Sequence, residues 1–494
     1  MLQDDKILVG RTAEVDAFLE LRLANRHGLV TGATGTGKTV TLQTLAEGFS
    51  DAGVAVFASD IKGDLSGIAA VGEPKAFVQK RVEELGLTDW ANKAYPTVFW
   101  DVFGEKGHPV RATVNDMGSL LLGRMLELNE VQEGVLSIAF RVAADEKMPL
   151  DDLNDLRAVV NNIAERGKEL TTKYGNVATA SVGAIQRRIL VLEEQGAGHF
   201  FGLPILDIKD LVRTAPDGRG IVNILSAEKL MEKPRLYAVF LLWLLSRIWQ
   251  TLPEVGDPPK PKLVFFFDEA HLLFTDAPKA LLERIEQIAR LVRSKGVGIY
   301  FVTQNPMDVP STVSAQLGNR VQHALRAFTP QEQKAVDTAA RTFRQNPDLD
   351  TAEVIKELKV GEALVSFLEN KGEPAIVQRV LICPPQGRIG PLSDEERRGC
   401  IEYSPVFGKY EDREERESAR EMLEKKQATE TQEADAGGGG GFWGTIFAGG
   451  KNARTGRYNQ GIGEMIAKDM QRTASRTAAT MIKNIILKSL GLKR

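Results

Sequence analysis

Residues 32–39 read Gly32-Ala33-Thr34-Gly35-Thr36-Gly37-Lys38-Thr39, and this loop decides the fold. Its spacing is that of a phosphate-binding loop, in which glycines let backbone N–H groups turn inward around phosphate oxygens. An apolar run with strand character precedes it at 27–31, and apolar side chains at mostly helical spacing follow it at 39–49. Strand, loop and helix in this order predict a nucleotide site at a helix N-terminus, where the helix dipole favours anions.

Two side chains of the loop have defined roles in such a site. Lys38 is expected to reach the β- and γ-phosphates, and the Thr39 hydroxyl is expected to bind Mg²⁺. We expect all the residues of the loop, 32–39, to contact the nucleotide. The sequence therefore predicts ATP and Mg²⁺ as cofactors.

The composition is that of an ordinary globular protein and excludes several special classes. Of the 494 residues, 43% are hydrophobic and 26% are charged, and the formal net charge is −3. This charge gives no global attraction to nucleic acid, so any DNA contact would come from local patches or from a channel lined by several subunits. Cys383 and Cys400 fit neither a disulfide framework nor a metal site.

Targeting signals are not visible in the sequence. Residues 1–12 lack the apolar core of a signal peptide. The most apolar helix-like stretch, 236–249, is too short to span a bilayer and is better explained as a buried core helix. We therefore expect a cytoplasmic protein.

Apolar runs with strand character recur along the chain and alternate with helical patterns. They lie at 54–59, 97–101, 220–225, 262–267, 297–303, 321–327, 363–368 and 376–382. Several are continuous rather than alternating, as in strands buried on both faces of a largely parallel sheet. The pattern predicts a doubly wound α/β domain with a mostly parallel sheet.

Composition also divides the chain into segments. A short N-terminal segment at 1–26, with a helix at 13–24, precedes a core formed by 27–104 and 206–392. The residues between them, 105–205, have apolar positions of helical period, which predicts an all-helical insertion. The remaining segments are a charged helical arm, a glycine-rich linker and a basic amphipathic helical tail, at 393–436, 437–450 and 451–494.

The second strong signal is the segment 262–271, Lys-Leu-Val-Phe-Phe-Phe-Asp-Glu-Ala-His. A buried strand here delivers two adjacent carboxylates at its carboxyl end, where α/β sheets place their ligands. Asp268 is expected to hold Mg²⁺, directly or through water, and Glu269 to polarise the attacking water. Alone, such carboxylates are also explained as helix caps, but paired with Lys38 they predict an ATPase.

Further catalytic groups are expected near the next strand. Gln304, which closes the strand at 297–303, is predicted to sense the γ-phosphate or position water; the alternative is a polar residue that only ends a strand. An arginine that stabilises the transition state contributes roughly 10³–10⁵ in rate. The candidates are Arg293, Arg320 and Arg26, each also explained as an ordinary surface residue. If the arginine acts on a neighbouring subunit, the active enzyme must be a ring.

Taken together, these motifs resemble the HerA/FtsK superfamily of ring-forming ATPases, and most closely a HerA-like bacterial branch. The resemblance spans about residues 10–385 and rests on the strings at 26–39, 60–63, 265–271, 293–298, 302–306 and 317–320. It implies a RecA-like core with a helical insertion, a hexamer, and ATP-driven movement of DNA or another polymer through a central pore. By the same resemblance, Arg293 or Arg26 is the arginine that crosses the subunit interface.

Two features set limits on this resemblance. HerA proper carries an N-terminal β-barrel that docks a nuclease, whereas residues 1–26 alone precede the core here, so a nuclease partner is not expected. The Asp-Glu-Ala-His string at 268–271 also occurs in a large class of RNA helicases. Their paired-domain layout and arginine-rich final motif are not visible in this sequence.

The C-terminal tail leaves the partner open. Residues 442–494 are expected to bind an anionic membrane surface, to bind nucleic-acid phosphates, or to dock on the ring or on a protein partner. The leading hypothesis is a homo-oligomeric, hexameric, Mg²⁺-dependent ATPase that translocates or unwinds DNA. The alternatives are a motor for protein export or remodelling at the membrane, and a nucleotide-gated switch or scaffold without motor activity.

Overall fold

A 13-stranded mixed sheet organises the computed structural model, which describes residues 2–275 and 278–437. The chain divides into two units, Met1–Arg420 and Glu421–Arg494. The strands are β1 (Leu2–Gln3), β2 (Lys6–Arg11), β3 (Asp16–Glu20), β4 (Gly28–Thr31), β5 (Ala55–Asp60), β6 (Thr97–Asp101), β7 (His108–Pro109), β8 (Val222–Ser226), β9 (Leu263–Phe267), β10 (Val297–Thr303), β11 (Asn319–Gln322), β12 (Glu362–Ser366), β13 (Leu368–Glu369), β14 (Glu373–Pro374) and β15 (Gln378–Ile382).

The α-helices flank and connect these strands. They are α1 (Lys38–Asp51), α2 (Ala76–Glu84), α3 (Val114–Met125), α4 (Glu130–Asp145), α5 (Leu153–Glu165), α6 (Gly167–Tyr174), α7 (Thr179–Glu194), α8 (Ala197–Phe200), α9 (Ile208–Leu211), α10 (Glu228–Met231), α11 (Pro234–Thr251), α12 (His271–Phe274), α13 (Lys279–Leu291), α14 (Ser311–Ser314), α15 (Pro330–Arg341), α16 (Thr351–Glu357), α17 (Asp394–Glu402) and α18 (Ala419–Gly437). Short 3₁₀ helices lie at Leu21–Arg26, Asp64–Ala69, Val292–Lys295 and Pro306–Asp308.

The sheet is parallel in its centre and antiparallel at one side. Its order is β1-β2-β15-β12-β11-β4-β10-β9-β5-β8-β6-β7, with β3 paired to β2. All neighbours from β11 to β7 are parallel, whereas β12, β15 and β2 pair antiparallel. The predicted α/β fold with a mostly parallel sheet is therefore confirmed. The separate ribbon β13–β14 lies outside this sheet.

The central strands are hydrophobic because both of their faces are covered. Every residue of β5, β8, β9 and β10 is buried. The aromatic side chains of β9 stack along the sheet, with the rings of Phe265 and Phe267 5.9 Å apart and those of Phe267 and Phe301 5.7 Å apart. Such continuous burial is typical of parallel sheets covered by helices. It holds the carboxyl ends of these strands in fixed positions.

The segment 105–205 contains the helices α3 to α8 and the two-residue strand β7. Helices α4 and α5 begin at side-chain caps: the Asn129 side chain accepts from Gln132 N, and the Asp152 side chain accepts from Asp155 N. Such caps satisfy backbone N–H groups that have no partner within the helix. The boundaries of the core and the insertion stay a prediction. In the part of the chain that the structure describes, no helix is long and apolar enough to cross a membrane.

Three local predictions were wrong. The helix at 13–24 is instead β3 and a 3₁₀ helix, because the side chains of β3 alternate between buried and less buried and pair with β2. The strand at 321–327 begins and ends earlier, as β11. The charged arm at 393–436 is interrupted, because residues 403–418 are not helical and include the fully buried Tyr410.

The predicted linker at 437–450 and tail at 451–494 lie, apart from the last residue of α18, outside the described residues.

Candidate active site

The phosphate-binding loop lies at the carboxyl edge of the parallel strands. Strand β4 ends at Thr31, and α1 begins at Lys38. Gly37 has φ of 115°, a conformation that favours glycine. Gly32 is required for a second reason, because a Cβ built on it would lie 2.5 Å from the Cβ of His323. Close packing therefore fixes the loop that the sequence predicted.

Lys38 is turned back onto its own loop. Its Nζ donates to the carbonyl oxygens of Gly32, at 2.8 Å, and Ala33, at 3.1 Å. Burial lowers the pKa of Lys38, and the charge of Glu269 opposes that effect. The ammonium group thus sits at the place where phosphate oxygens would enter.

Asp268 and Glu269 follow β9 directly and are both buried, at 6% and 4% exposure. Burial and the neighbouring charge of Glu269 raise the pKa of Asp268 to about 6. Glu269 has φ of 46°, in the left-handed region that residues with a side chain rarely adopt. Backbone strain of this kind is found at functional sites, where the surrounding contacts hold it in place.

Two side chains from neighbouring elements donate hydrogen bonds to Glu269. Its Oε1 accepts from Lys62 Nζ at 2.5 Å, and its Oε2 accepts from Gln304 Nε2 at 3.1 Å. The Nδ1 of His271 lies 3.4 Å from the same Oε2. Burial opposes ionisation, but the hydrogen bonds from Lys62 and Gln304 outweigh it and leave the pKa of Glu269 lowered. The lowered pKa favours the ionised form of the carboxylate.

Gln304 joins this carboxylate to the phosphate-binding loop. It follows β10, and its Oε1 accepts from Thr34 Oγ1 at 3.3 Å. Five predicted residues therefore converge at one edge of the sheet: Lys38, Thr39, Asp268, Glu269 and Gln304. Their roles in catalysis remain predictions, but their placement fits those roles.

A cavity of about 310 Å³ lies between the loop and the carboxylates. Most of the loop, including Lys38 and Thr39, forms one wall, and Asp268, Glu269, Lys62 and Asp64 form the other. Val360, Ile389 and Gly390 also line this cavity. The phosphate-binding residues and the acidic residues therefore face the same space.

The residues around this cavity fit a divalent cation. One Asp64 oxygen, Oδ1, is buried and has no hydrogen-bond partner, and the Thr39 side chain hydrogen-bonds to the same carboxylate. Burial raises the pKa of Asp64, whereas Lys62 and Thr39 lower it. Among residues 2–275 and 278–437 no cluster of three or more His, Cys, Asp or Glu forms a metal cage. Mg²⁺ suits such a site because it usually keeps several waters and binds through one or two carboxylates and substrate phosphates.

Sequence reasoning missed the role of the turn at 60–64, although it marked residues 60–63 as part of the resemblance. The Asp60 side chain accepts from the backbone N–H groups of Gly63, at 2.8 Å, and Leu65, at 3.2 Å. It is buried, and burial with the charge of Asp64 raises its pKa to about 7. This turn brings Lys62 and Asp64 into the cavity. The signal was an acidic-basic-acidic string at a strand end.

His323 was also missed and supports the loop from behind. Its Nδ1 lies 2.9 Å from the carbonyl oxygen of Glu362, and its Nε2 lies 2.8 Å from Thr41 Oγ1 on α1. The ring is fully buried, and burial lowers its pKa to about 4. The neutral ring therefore connects β11, α1 and the start of β12. A lone histidine gives no sequence signal for this role.

The predicted arginines do not reach this cavity in their own chain. Arg26 and Arg293 end or lie within short 3₁₀ helices that precede β4 and β10, at the amino edge of the sheet. Strand β4 spans four residues, which at ~3.3 Å per residue is about 13 Å. The Arg293 Nη2 donates to Asp257 Oδ1 at 2.7 Å. A role across a subunit interface stays a prediction.

Arg320, the third candidate, is engaged elsewhere. It lies on β11, opposite Leu29 of β4, and its Nη2 donates to the carbonyl oxygen of Ser314 at 2.9 Å. Burial lowers the pKa of its guanidinium. Nothing in these contacts connects Arg320 with the cavity.

Distant relatives of the chain include two helicases that share one name. The chain is 21% identical over 374 residues to the DNA double-strand break repair helicase HerA of Sulfolobus acidocaldarius, a match that covers 72% of this chain and 65% of that protein. The helicase of the same name from Saccharolobus solfataricus is 22% identical over 369 residues, covering 72% and 64%. The chain thus spans just under two thirds of the length of these relatives.

Similar solved structures include a plasmid coupling protein and VirB4. The plasmid coupling protein TrwB in complex with a GTP analogue is 16% identical and covers 76% of this chain and 89% of its own, with a TM-score of 0.49. VirB4 of Thermoanaerobacter pseudethanolicus is 14% identical and covers 78% of this chain and 97% of its own, with a TM-score of 0.47.

The family is shown by a match over almost the whole chain. Residues 5–494 match the helicase HerA-like C-terminal family. This match includes the loop at 32–39, the carboxylates at 268–269 and the string at 60–64, whose geometry is described above. The resemblance inferred from the motifs is therefore confirmed, and the chain belongs to the helicase HerA-like C-terminal family.

Proposed function

We propose that this protein is a Mg²⁺-dependent ATPase that works as a ring and moves or unwinds DNA. The observation that carries the ATPase proposal is the convergence of Lys38, Thr39, Asp268 and Glu269 around one cavity, with Gln304 hydrogen-bonded to Glu269. A phosphate-binding loop that lacked a carboxylate to activate water would bind nucleotide without hydrolysing it. Here both parts of a hydrolytic site meet at the same edge of the sheet.

Each residue has a chemical task in this proposal. Lys38 exchanges its two backbone acceptors for oxygens of the β- and γ-phosphates, and the backbone N–H groups of 32–37 surround the same phosphates. Glu269, ionised by its hydrogen-bond partners, accepts a proton from the attacking water. Gln304 orients that water and senses the γ-phosphate. Thr39 and Asp268 would hold Mg²⁺, which when bound neutralises part of the phosphate charge.

DNA as the substrate is supported by family membership and by the names of the two HerA relatives. Ring assembly is supported by the position of Arg26 and Arg293 at the amino edge. An arginine there completes a cavity only if another subunit supplies it. We therefore propose a homo-oligomer, a hexamer by family resemblance, in which each cavity lies at a subunit interface.

The test is steady-state ATP hydrolysis by the purified full chain at low salt, with and without double-stranded DNA. Hydrolysis that rises several-fold with DNA, and loses this stimulation as the salt concentration increases, would support DNA as the translocated substrate, since contacts to DNA phosphates are salt-dependent. Robust hydrolysis indifferent to DNA would reject the DNA substrate. Anionic lipid vesicles serve as the comparison, because stimulation by vesicles instead of DNA would favour the membrane motor.

The switch or scaffold is the other outcome of this assay. Turnover that stays slow with DNA and vesicles, while ATP changes the assembly state in light scattering, would replace the motor by a nucleotide-gated switch.

A further inference from the structure

Two lysines line the nucleotide cavity, and both are bonded to acceptors of the protein itself. Lys38 belongs to the phosphate-binding loop and donates to two backbone carbonyl oxygens. Lys62 belongs to the turn after β5 and donates to Glu269 Oε1 at 2.5 Å. Of the described residues that line this cavity, only these two are cationic. The second lysine has no role in the proposed function so far.

The fold holds Lys62 opposite Glu269. Strands β5 and β9 are parallel neighbours, with Ser59 paired to Phe267, so the residues that follow both strands meet at the same edge. The turn that follows β5 carries Lys62 and is held in shape by Asp60, whose side chain accepts from Gly63 N and Leu65 N. Gly63 has φ of 78°, and a Cβ there would lie 2.4 Å from Glu228 Oε1.

Of the two partners, Lys62 is the one that can move. The Glu269 side chain is 5% exposed, whereas the Lys62 side chain is 47% exposed. Glu269 is also held by Gln304 and by its left-handed backbone. A lysine side chain has four rotatable bonds and carries a compact charge that can change acceptors without moving the backbone.

An incoming triphosphate competes for this charge. Its γ-phosphate is expected beside Lys38, Asp268 and Glu269, which line one cavity with Lys62. The γ-phosphate carries up to two negative charges and therefore attracts an ammonium group more strongly than a single carboxylate does. When Lys62 leaves Glu269, one carboxylate oxygen becomes free to accept from water.

We propose that Lys62 transfers from Glu269 to the γ-phosphate when ATP binds, and that it stabilises the transition-state charge from within the same chain. This inference rests on the proposed ATPase function. It gives the cavity a cation of its own, whereas Arg26 and Arg293 lie at the opposite edge of the sheet. Lys62 thereby distinguishes ATP from ADP and couples ATP binding to the release of Glu269.

The experiment compares Lys62→Ala and Lys62→Arg with the wild-type full chain. Lys93→Ala is the matched control, because Lys93 is also a partly exposed lysine in an ion pair, at 2.8 Å from Asp51, but does not line the cavity. The measurements are kcat and KM for ATP, and the equilibrium Kd of Mg²⁺–ADP and of a non-hydrolysable Mg²⁺–ATP analogue.

We expect Lys62→Ala to lower kcat by roughly 100-fold, in the range seen when one donor to transition-state charge is removed. Affinity for the ATP analogue should fall about 10-fold, the loss of one charge-assisted hydrogen bond, while affinity for ADP stays within about 2-fold. Lys62→Arg should recover part of kcat, because it keeps the charge. Lys93→Ala should match the wild type.

Two results would overturn the inference. If Lys62→Ala hydrolyses ATP as fast as the wild type or faster, Lys62 only restrains Glu269. If it loses ADP and the ATP analogue equally, Lys62 supports the shape of the cavity and does not recognise the γ-phosphate. A wild-type protein that binds but does not hydrolyse ATP would reject the proposed function instead, and the two Kd values would still decide the role of Lys62.

Discussion

The two edges of the parallel sheet carry different parts of the candidate active site. At the carboxyl edge, Lys38, Lys62 and Glu269 line one cavity. There Lys62 donates to Glu269, and Lys38 donates to backbone carbonyl oxygens of its own loop. At the amino edge, Arg26 and Arg293 lie close enough for the charge of Arg293 to lower the pKa of Arg26, after the larger effect of burial. The carboxyl edge thus holds the groups to which we assign nucleotide binding and water activation, whereas the amino edge holds two arginines, of which Arg293 is paired with Asp257.

The separation of these two edges bears on how the subunits of the proposed ring would contact one another. Strands of four to seven residues separate the edges, which corresponds to about 13–23 Å, more than an arginine side chain can span. The amino edge is nevertheless well ordered around His27, which is buried, accepts from Ile299 N at 3.0 Å and contacts the carbonyl oxygen of Ala289 at 2.7 Å. Such an edge is suited to present an arginine to the cavity of the next subunit.

The largest expected effect concerns the amino edge. Of the two changes Arg293→Ala and Arg26→Ala, one should lower kcat about 10³-fold, the lower end of the effect of an arginine finger, with the Kd for ATP little changed. Arg290→Ala is the control, because Arg290 is an exposed residue of α13 that pairs with Glu286 one turn earlier in the same helix. The measurement is ATP turnover at a concentration where the ring is assembled.

Mixing two inactive variants in one assembly tests whether the arginine acts on a neighbouring subunit. If the arginine acts in trans, combining the inactive arginine variant with Lys38→Ala should restore part of the turnover, because some interfaces join an intact cavity to an intact arginine. Full activity of both arginine variants would mean that the amino edge takes no part in catalysis.

A smaller effect is expected for nucleotide binding at the carboxyl edge. Lys38→Ala should weaken the binding of ATP about 10- to 100-fold, since a charge-assisted hydrogen bond contributes roughly 1.5–3 kcal/mol. Lys260→Ala is a suitable comparison, because that lysine also donates to a backbone carbonyl, of Ala52, but outside the cavity. Equilibrium binding of a fluorescent ATP analogue measures the difference. If the wild type and Lys38→Ala bind the ATP analogue with equal affinity, the assignment of the loop as a phosphate-binding site is wrong.

The smallest expected effect is on stability and concerns the helix behind the loop. Glu47 on α1 is fully buried and accepts from Gln386 N at 2.6 Å and Gly387 N at 2.9 Å, and burial raises its pKa to about 7. Because this pKa is raised from 4.5, its contribution to stability is present below about pH 4.5 and is lost as pH rises to about 7.

Glu47→Gln removes this titration. The free energy of unfolding of the variant relative to the wild type should therefore increase between pH 5 and pH 7, by at most about 1.4 kcal/mol per pH unit. Glu83→Gln, at an exposed position on α2, is the control. Denaturant unfolding across this pH range provides the measurement, and parallel pH profiles of Glu47→Gln and wild type would contradict the raised pKa.

Features that depend on neighbouring residues could be predicted from the sequence. The strands at 97–101 and 297–303 are found with the predicted bounds, because a continuous apolar run between polar ends leaves little choice. The loop at 32–39 and the pair Asp268–Glu269 were identified from the types and spacing of adjacent residues. Their chemistry is local, and their meeting follows from both lying after parallel strands.

Features that depend on distant partners could not be predicted. Lys62 and Glu269 are 207 positions apart, and their contact depends on β5 lying next to β9. Tyr410 is buried within a charged stretch because its hydroxyl donates to Asp210 at 2.5 Å and its carbonyl oxygen accepts from Arg111 at 2.7 Å. No periodicity in the sequence carries information about such pairs.

The most direct test of the hydrolytic site is the comparison of Glu269→Gln with the wild type in two measurements on the same preparation: Kd for Mg²⁺–ATP and steady-state release of phosphate. Glu283→Gln, an exposed residue on α13 that pairs with Lys279, is the matched control. We expect Glu269→Gln to bind ATP with about the wild-type affinity and to lose turnover by roughly 10²-fold or more, since a general base contributes about 10²–10⁴. Hydrolysis by Glu269→Gln at the wild-type rate would contradict the assignment of the carboxyl edge as the active site.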